Sequence, residues 1–292
     1  MRSLIVFTLA LMVAGPAAAQ SPVERGKYLV EVLGACGNCH SPKSPAGEAP
    51  GKHLAGGFEI KEEFGVAVVP NITPDPETGI GRWKDAEIVR AIREGKSRDG
   101  RTLGPPMPFY LYRHLSDTDV KAMVAYLRTV PPVKNAVPRG RYTIALPKSY
   151  GPPVGQVPDP PVNDPVKYGA YLAGPVAHCA DCHTPRNAKG GPDTSRLFAG
   201  GFHFTGPFGV SYSTNLTPDR ETGISGWTDA QIIAAMNGTD PRGRPVMPPM
   251  PWPYYAGKIA ERDLTAIVAY LRSLRPIKNL VPPPEPATPP AK

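Results

Sequence analysis

Residues 36–42 read Cys-Gly-Asn-Cys-His-Ser-Pro, and residues 179–185 read Cys-Ala-Asp-Cys-His-Thr-Pro. The two stretches contain all four cysteines of the 292-residue chain. On a helical turn, residues three apart share a face. Each cysteine pair therefore projects to one side, with a histidine next in line. The likeness extends outward from both motifs. Gly26-Lys27-Tyr28-Leu29 matches Gly169-Ala170-Tyr171-Leu172, and Gly56-Gly57-Phe58 matches Gly200-Gly201-Phe202. Asn71 to Ile80 matches Asn215 to Ile224, Trp83 matches Trp227, Pro105 to Pro108 matches Pro248 to Pro251, and Val124 to Arg128 matches Val268 to Arg272. The offset stays at 143–144 residues, so the chain is a tandem repeat of one folding unit.

The repeat sets the expected organisation: residues 22–132 as domain one, 133–163 as a Pro-rich basic linker, 164–277 as domain two and 278–292 as a Pro-rich disordered tail. Residues 1–19 read as a secretory signal. Arg2 is followed by an apolar run from Leu4 to Ala14 and by small residues at Ala17 to Ala19. The run is shorter than the roughly 20 residues a spanning helix needs. Cleavage is expected to leave Gln20 first, with a soluble or peripherally membrane-associated periplasmic product.

Composition narrows the fold. Apolar residues make up 41%, enough for packed cores, while 39 prolines in 292 residues argue against long uninterrupted helices. The expectation is a mainly α protein with short helices and long Pro-rich loops. Each unit should open with a helix running to its cysteines, about 23–38 and 166–181. A middle helix should follow each tryptophan, about 85–94 and 229–237, ending at Gly95 and Gly238. Closing helices fit residues 117–129 and 261–274, with Ser116 as an N-cap. Thr228 and Gln231 have capping-box form, which Lys84 breaks in unit one. The stretches between carry few strand signals.

Cys-x-x-Cys-His is the spacing of c-type haem attachment. Cys36, Cys39, Cys179 and Cys182 can form thioethers to two porphyrins, and His40 and His183 then point an imidazole at each iron. A zinc site would want cysteine pairs roughly 15–20 residues apart; these are separated by 139. A thioredoxin-like pair would need a βαβ setting that the pattern lacks.

A second axial ligand is sought among seven methionines. Met1 and Met12 fall in the signal, and Met123 and Met236 sit in helices among apolar neighbours. Met107 follows His40 by 67 residues, and Met250 follows His183 by 67. Both are flanked by prolines, which restrict the loop and fix where the sulfur points. Met247 is a rival to Met250 but aligns with Gly104. His53, His114, His178 and His203 do not recur between units and read as surface or loop residues. A backbone carbonyl should fix each ligand histidine's tautomer, though the pattern does not say which.

Each unit resembles a class I cytochrome c domain, with an opening helix into Cys-x-x-Cys-His, a methionine in a Pro-rich loop and a closing helix crossing the first. The Asn71–Ile80 stretch, Trp83 and the Pro-Met-Pro loop further resemble the cytochrome subunits of periplasmic alcohol, aldehyde and gluconate dehydrogenases. Those subunits often carry three haems, whereas this chain has attachment motifs for two. The resemblance implies electron transfer rather than catalysis. A periplasmic dehydrogenase would be the donor, and a terminal oxidase, quinone or another cytochrome the acceptor. The formal charge is +8, or +7 less the one charge of Arg2. A basic surface suits acidic partners or anionic headgroups, and export disfavours nucleic acid. The alternative is a haem enzyme, such as a dihaem peroxidase or a thiosulfate-oxidising cytochrome.

Overall fold

The computed structural model describes residues 20–44, 47–188 and 190–287. The expected signal peptide, residues 1–19, lies outside them. Helices account for 33% of the structure and strands for 11%. The two units are built alike.

In each unit the opening and closing helices cross at a glycine. A β-carbon at Gly26 would overlap the Ala122 carbonyl oxygen, and one at Gly169 would overlap that of Ala266. Only a residue without a side chain lets the two backbones meet this closely. The helices start where their caps dictate. Ser21 and Glu24 form a reciprocal capping box before Pro22. Asp164 accepts from the Lys167 N–H at 3.0 Å, and Ser116 from the Asp119 N–H at 3.1 Å. The middle helices span Asp85–Glu94 and Asp229–Met236, and the closing helices Asp117–Leu127 and Glu261–Ser273. The Lys84 ammonium cannot accept a hydrogen bond, but the residue's backbone N–H donates to Glu87 at 2.7 Å, so half of the capping box survives in unit one.

The opening helices do not run unbroken to the cysteines. Regular α-helix covers Pro22–Lys27 and Pro165–Tyr171, then widens into π-helical turns over Tyr28–Leu33 and Leu172–Val176. The Gly34 N–H reaches back five residues to the Leu29 carbonyl (2.7 Å), and the Ala177 N–H to Leu172 (2.8 Å). Pro175 lacks an N–H and is tolerated where the α-ladder has already been given up. A left-handed residue then re-aims the chain, Ala35 at φ 43° and His178 at φ 42°. The attachment turns, Gly37–His40 and Cys179–His183, follow at once.

The repeated Asn-x-Thr-Pro-Asp stretch is a knot of side-chain bonds. Asn71 Oδ1 accepts from Thr73, and its Nδ2 donates to the Val133 carbonyl at 2.8 Å. Asn215 does the same with Thr217 and the Ile277 carbonyl, also at 2.8 Å. The knot pins the chain as it leaves the closing helix. Arg128 and Arg272 tie that helix back to the carbonyls of Ile80 and Ile224 at 3.0 and 2.9 Å.

Strands were not foreseen, and each unit has a small antiparallel sheet. Glu59–Glu62 pairs with Gly65–Val68, and His203–Gly206 with Gly209–Tyr212. The third strand of each comes from the segment after the closing helix: Arg141–Tyr142 of the linker and Glu285–Pro286 of the C-terminal segment. The described part of the expected tail, residues 278–287, lies along unit two through this pairing. Asn279 donates to the Ala199 carbonyl at 2.8 Å, as Asn135 does to Ala55 at 2.9 Å. The linker is a strap along unit one, held by Tyr150 Oη on the Leu103 carbonyl and by Arg113 on the carbonyls of Tyr150 and Pro152.

The units meet through a pseudo-two-fold interface. Tyr28 of unit one donates to Asp263 of unit two at 2.8 Å, and Tyr171 of unit two donates to Asp119 of unit one at 2.7 Å. Each hydroxyl also accepts a backbone N–H of the other unit, from Ala260 and Ser116 respectively, both at 3.1 Å. Arg25 completes one clasp with two 2.8 Å bonds to Asp119. Hydrogen bonds to a charged acceptor contribute roughly 1.5–3 kcal/mol each, so the two units hold a fixed relation.

Candidate haem sites

The attachment turn places its cysteines three apart and its histidine last. Cys36, Cys39, Cys179 and Cys182 are all partly buried, and no two of them are joined in a disulfide. Burial pushes the Cys36 and Cys179 thiols up to about 12 and raises Cys39 and Cys182 as well. Burial thus disfavours the thiolate at these positions. A neutral thioether bears the same burial without cost. Among the described residues, no cluster of histidine, cysteine and carboxylate could hold a metal ion.

Each motif histidine is oriented by a carbonyl that the sequence did not reveal. His40 is 8% exposed, and its Nδ1 lies 2.9 Å from the Pro70 carbonyl oxygen. His183 Nδ1 lies 2.8 Å from that of Thr214. A carbonyl only accepts, so Nδ1 carries the proton in both rings and Nε2 keeps its lone pair. Burial lowers both histidines from their ordinary value and keeps them neutral. The repeated Gly-Gly-Phe explains the fit. Gly56, at φ 71°, packs so tightly on the Pro70–Asn71 backbone that a β-carbon would overlap it, and its N–H holds the His40 carbonyl at 2.7 Å. Gly200 does the same for His183 beside Thr214 and Asn215.

The methionine loops sit on the same scaffold. Met107 and Met250 are partly buried and pack against the core cluster. Met247 is also partly buried but does not belong to that packing. Met123 is core, as read from the sequence, and Met236 packs against it. Each loop carries a cis proline pair, Pro105-Pro106 and Pro248-Pro249. Tyr142 from the strap donates to the Pro105 carbonyl at 3.2 Å, and Ser211 to that of Pro248 at 2.7 Å.

Of the remaining histidines, His114 and His203 are exposed. His178 departs from the surface reading: it lies between the two units, with Nε2 3.3 Å from the Gly34 carbonyl. Its signal was legible only in part, since a histidine before Cys179 stands where Ala35 precedes Cys36. Tyr112 and Tyr255, buried beside the cysteines, also went unread.

His53 bridges two carboxylates, with Nε2 2.8 Å from Glu31 and Nδ1 2.7 Å from Glu48. Both nitrogens are engaged, so it is no iron ligand. The Glu31 hydrogen bond, with help from Glu48 and against partial burial, raises its pKa to about 9. The unfolded value is about 6.5. The protonated ring therefore favours the folded state fully below about 6.5, and the benefit is lost as pH rises through about 9. In urea titrations, the wild-type midpoint should fall across that window. The fall should shrink in His53→Leu, which copies Leu197 of unit two; an equal fall would show that His53 does not cause it.

The residues present fit a covalently held porphyrin in each unit: paired neutral thiols on one turn, an adjacent histidine with a free Nε2, and a packed methionine loop. Comparison with known proteins agrees. The Cytochrome c family matches residues 23–131 and 166–275. The fructose dehydrogenase cytochrome subunit of Gluconobacter japonicus is 33% identical over 276 residues, covering 89% of this chain and 54% of that protein. The cytochrome c subunit of alcohol dehydrogenase (quinone) of Gluconacetobacter polyoxogenes is 32% identical, covering 91% and 60%. A Diheme cytochrome c-type protein of Cereibacter sphaeroides is 34% identical over 197 residues, 64% of each. The chain thus spans 54% to 64% of the length of these relatives. With two matched regions and an attachment turn in each, it belongs to the cytochrome c family and carries two covalently bound haem c groups.

Proposed function

We propose that the chain is a periplasmic dihaem electron carrier that takes electrons from a dehydrogenase and passes them toward the respiratory chain. The observation that carries the proposal is the duplicated attachment turn with each histidine's Nδ1 committed to a backbone carbonyl. A haem c group supplies one-electron exchange between ferric and ferrous iron. The chain's own residues do the rest. Cys36 and Cys39, and Cys179 and Cys182, hold the group covalently through an exported life. His40 and His183 would offer Nε2 to the iron, and Met107 and Met250 would offer a thioether as the second protein ligand. A histidine–methionine pair raises the potential relative to harder ligands. With both protein ligands bound, the iron would have no open position for a substrate, which favours electron transfer over catalysis.

We assign the domains to residues 22–132 and 164–277, with 133–163 as the linker and 1–19 as a cleaved export signal. Covalent attachment in a signal-bearing chain supports the periplasm. Among the described residues, no helix is long and apolar enough to cross a membrane. The dehydrogenase donor rests on the names of the relatives, and the acceptor is an oxidase, a quinone or another cytochrome. The test is to purify the holoprotein with its native partners. A co-purifying dehydrogenase whose substrate reduces both haems, with a wholly low-spin oxidised spectrum, is expected. A persistent high-spin fraction with rapid peroxide turnover would assign the chain to the haem enzymes instead.

A further inference from the structure

The two attachment turns approach each other across the domain interface, and one contact there breaks the symmetry. His178 directly precedes Cys179, where unit one has Ala35 before Cys36. Both residues are left-handed, at φ 42° and 43°. That conformation costs a side-chain-bearing residue roughly 1–2 kcal/mol, and the imidazole, unlike the Ala35 methyl, makes contacts that can offset it. Two are present. Its Nε2 is 3.3 Å from the carbonyl oxygen of Gly34, two residues before Cys36. Its ring meets the Tyr112 ring of unit one edge-on, at 5.7 Å and 90°. Gly34 is closely packed: a β-carbon there would lie 2.7 Å from the Leu29 carbonyl oxygen and 3.7 Å from that of Val176 in unit two.

The chemistry of the bond fixes the tautomer. A carbonyl only accepts, so Nε2 carries the proton and the ring donates. Covalent bonds and this one hydrogen bond then link the two attachment turns, from Cys179 through His178 to Gly34, Ala35 and Cys36. The Tyr–Asp clasps hold the units on either side of it at fixed spacing.

We propose that His178 is a positioning residue for electron exchange between the two haem groups, tying one attachment turn to the other through the Gly34 carbonyl. The inference rests on the two-haem electron-carrier reading above. The electron given up by a ferrous site is the one gained by the ferric site of the same chain. No bond breaks, no proton is transferred, and no further reagent is needed. The repeat gives unit one no equivalent donor, since Ala35 has no polar side chain. Tyr110 of unit one also donates to Asp181 at 2.9 Å, but Tyr110 lies outside residues 34–40, so the His178 link between the two turns can be changed on its own.

The test uses half-reduced holoprotein and NMR exchange spectroscopy, reading the concentration-independent rate at which the two sites swap redox state. His178→Leu removes the donor and should slow that rate several-fold, with two haems per chain and the oxidised spectrum retained. His178→Gln keeps an N–H able to reach Gly34 and should restore most of the rate. An unchanged rate in His178→Leu would overturn the proposal. Independently of any substitution, nitrogen NMR of the wild-type chain should show a proton on His178 Nε2 that exchanges slowly with solvent. A bare Nε2 would overturn the proposal even if the variants did not fold. Failure of the underlying reading would show differently, as fewer than two haems in the wild-type chain, and would end both.

Discussion

Replacing Met107 with alanine is expected to leave the first haem attached while its reduction potential falls. The thioether is a neutral, polarisable donor that favours ferrous iron over ferric. Without it, water or a stray nitrogen base fills the position and the preference reverses. Axial ligands move haem potentials over roughly 0.8 V in all, so a drop on the order of 0.1–0.3 V is expected at that site. The far-red absorption of the ferric–sulfur bond should halve, because the second site is untouched. Met250→Ala should produce the same change in unit two. Met247→Leu should not, since Met250 packs against the core cluster and Met247 does not. Spectroelectrochemical titration of the three variants reads all of this. A full-strength far-red band in Met107→Ala would remove Met107 from the iron.

The second large effect concerns attachment. A chain with both Cys179→Ala and Cys182→Ala should carry one covalent haem instead of two. The loss is also structural. Leu172, Phe198, Ile224 and Ile267 of unit two are all fully buried, in a fold whose histidine and methionine loops are arranged to hold a porphyrin. A covalently held haem stays on the unfolded chain, but its packing against apolar side chains is made only in the folded state and stabilises it. Its removal should cost several kcal/mol, a fall on the order of 15 °C in the melting midpoint of a unit of about a hundred residues. Unit one should keep its haem and lose less, through the clasps at Asp119 and Asp263. Haem quantitation with thermal denaturation checks both parts. Two haems per chain in the double variant would refute the attachment assignment.

Local chemistry is what the sequence carried most plainly. Serine at 116 and threonine at 228 announce helix starts because caps act on neighbours three residues away. The repeat picks out the attachment turns and the methionine loops without a structure. Nonlocal bonds were hidden. The Pro70 and Thr214 carbonyls are backbone atoms, alike in every residue, so no letter code marks them. The break at Ala35 and His178 was missed because the apolar pattern of residues 28–33 continues through a π turn as it would through an α turn. The last strand at Glu285–Pro286 is short, proline-bearing and held by its register with Gly209–Val210 rather than by its own propensity. His178 read as a surface residue because its partners, Gly34 and Tyr112, belong to the other unit.

Near-infrared magnetic circular dichroism of the fully oxidised holoprotein addresses the account's central claim most directly, because the charge-transfer energy identifies the axial pair at each ferric iron. The account predicts a single histidine–methionine signature with the intensity of two haems per chain. A second band from a bis-histidine or water-ligated iron, at the intensity of one haem or more, would contradict it.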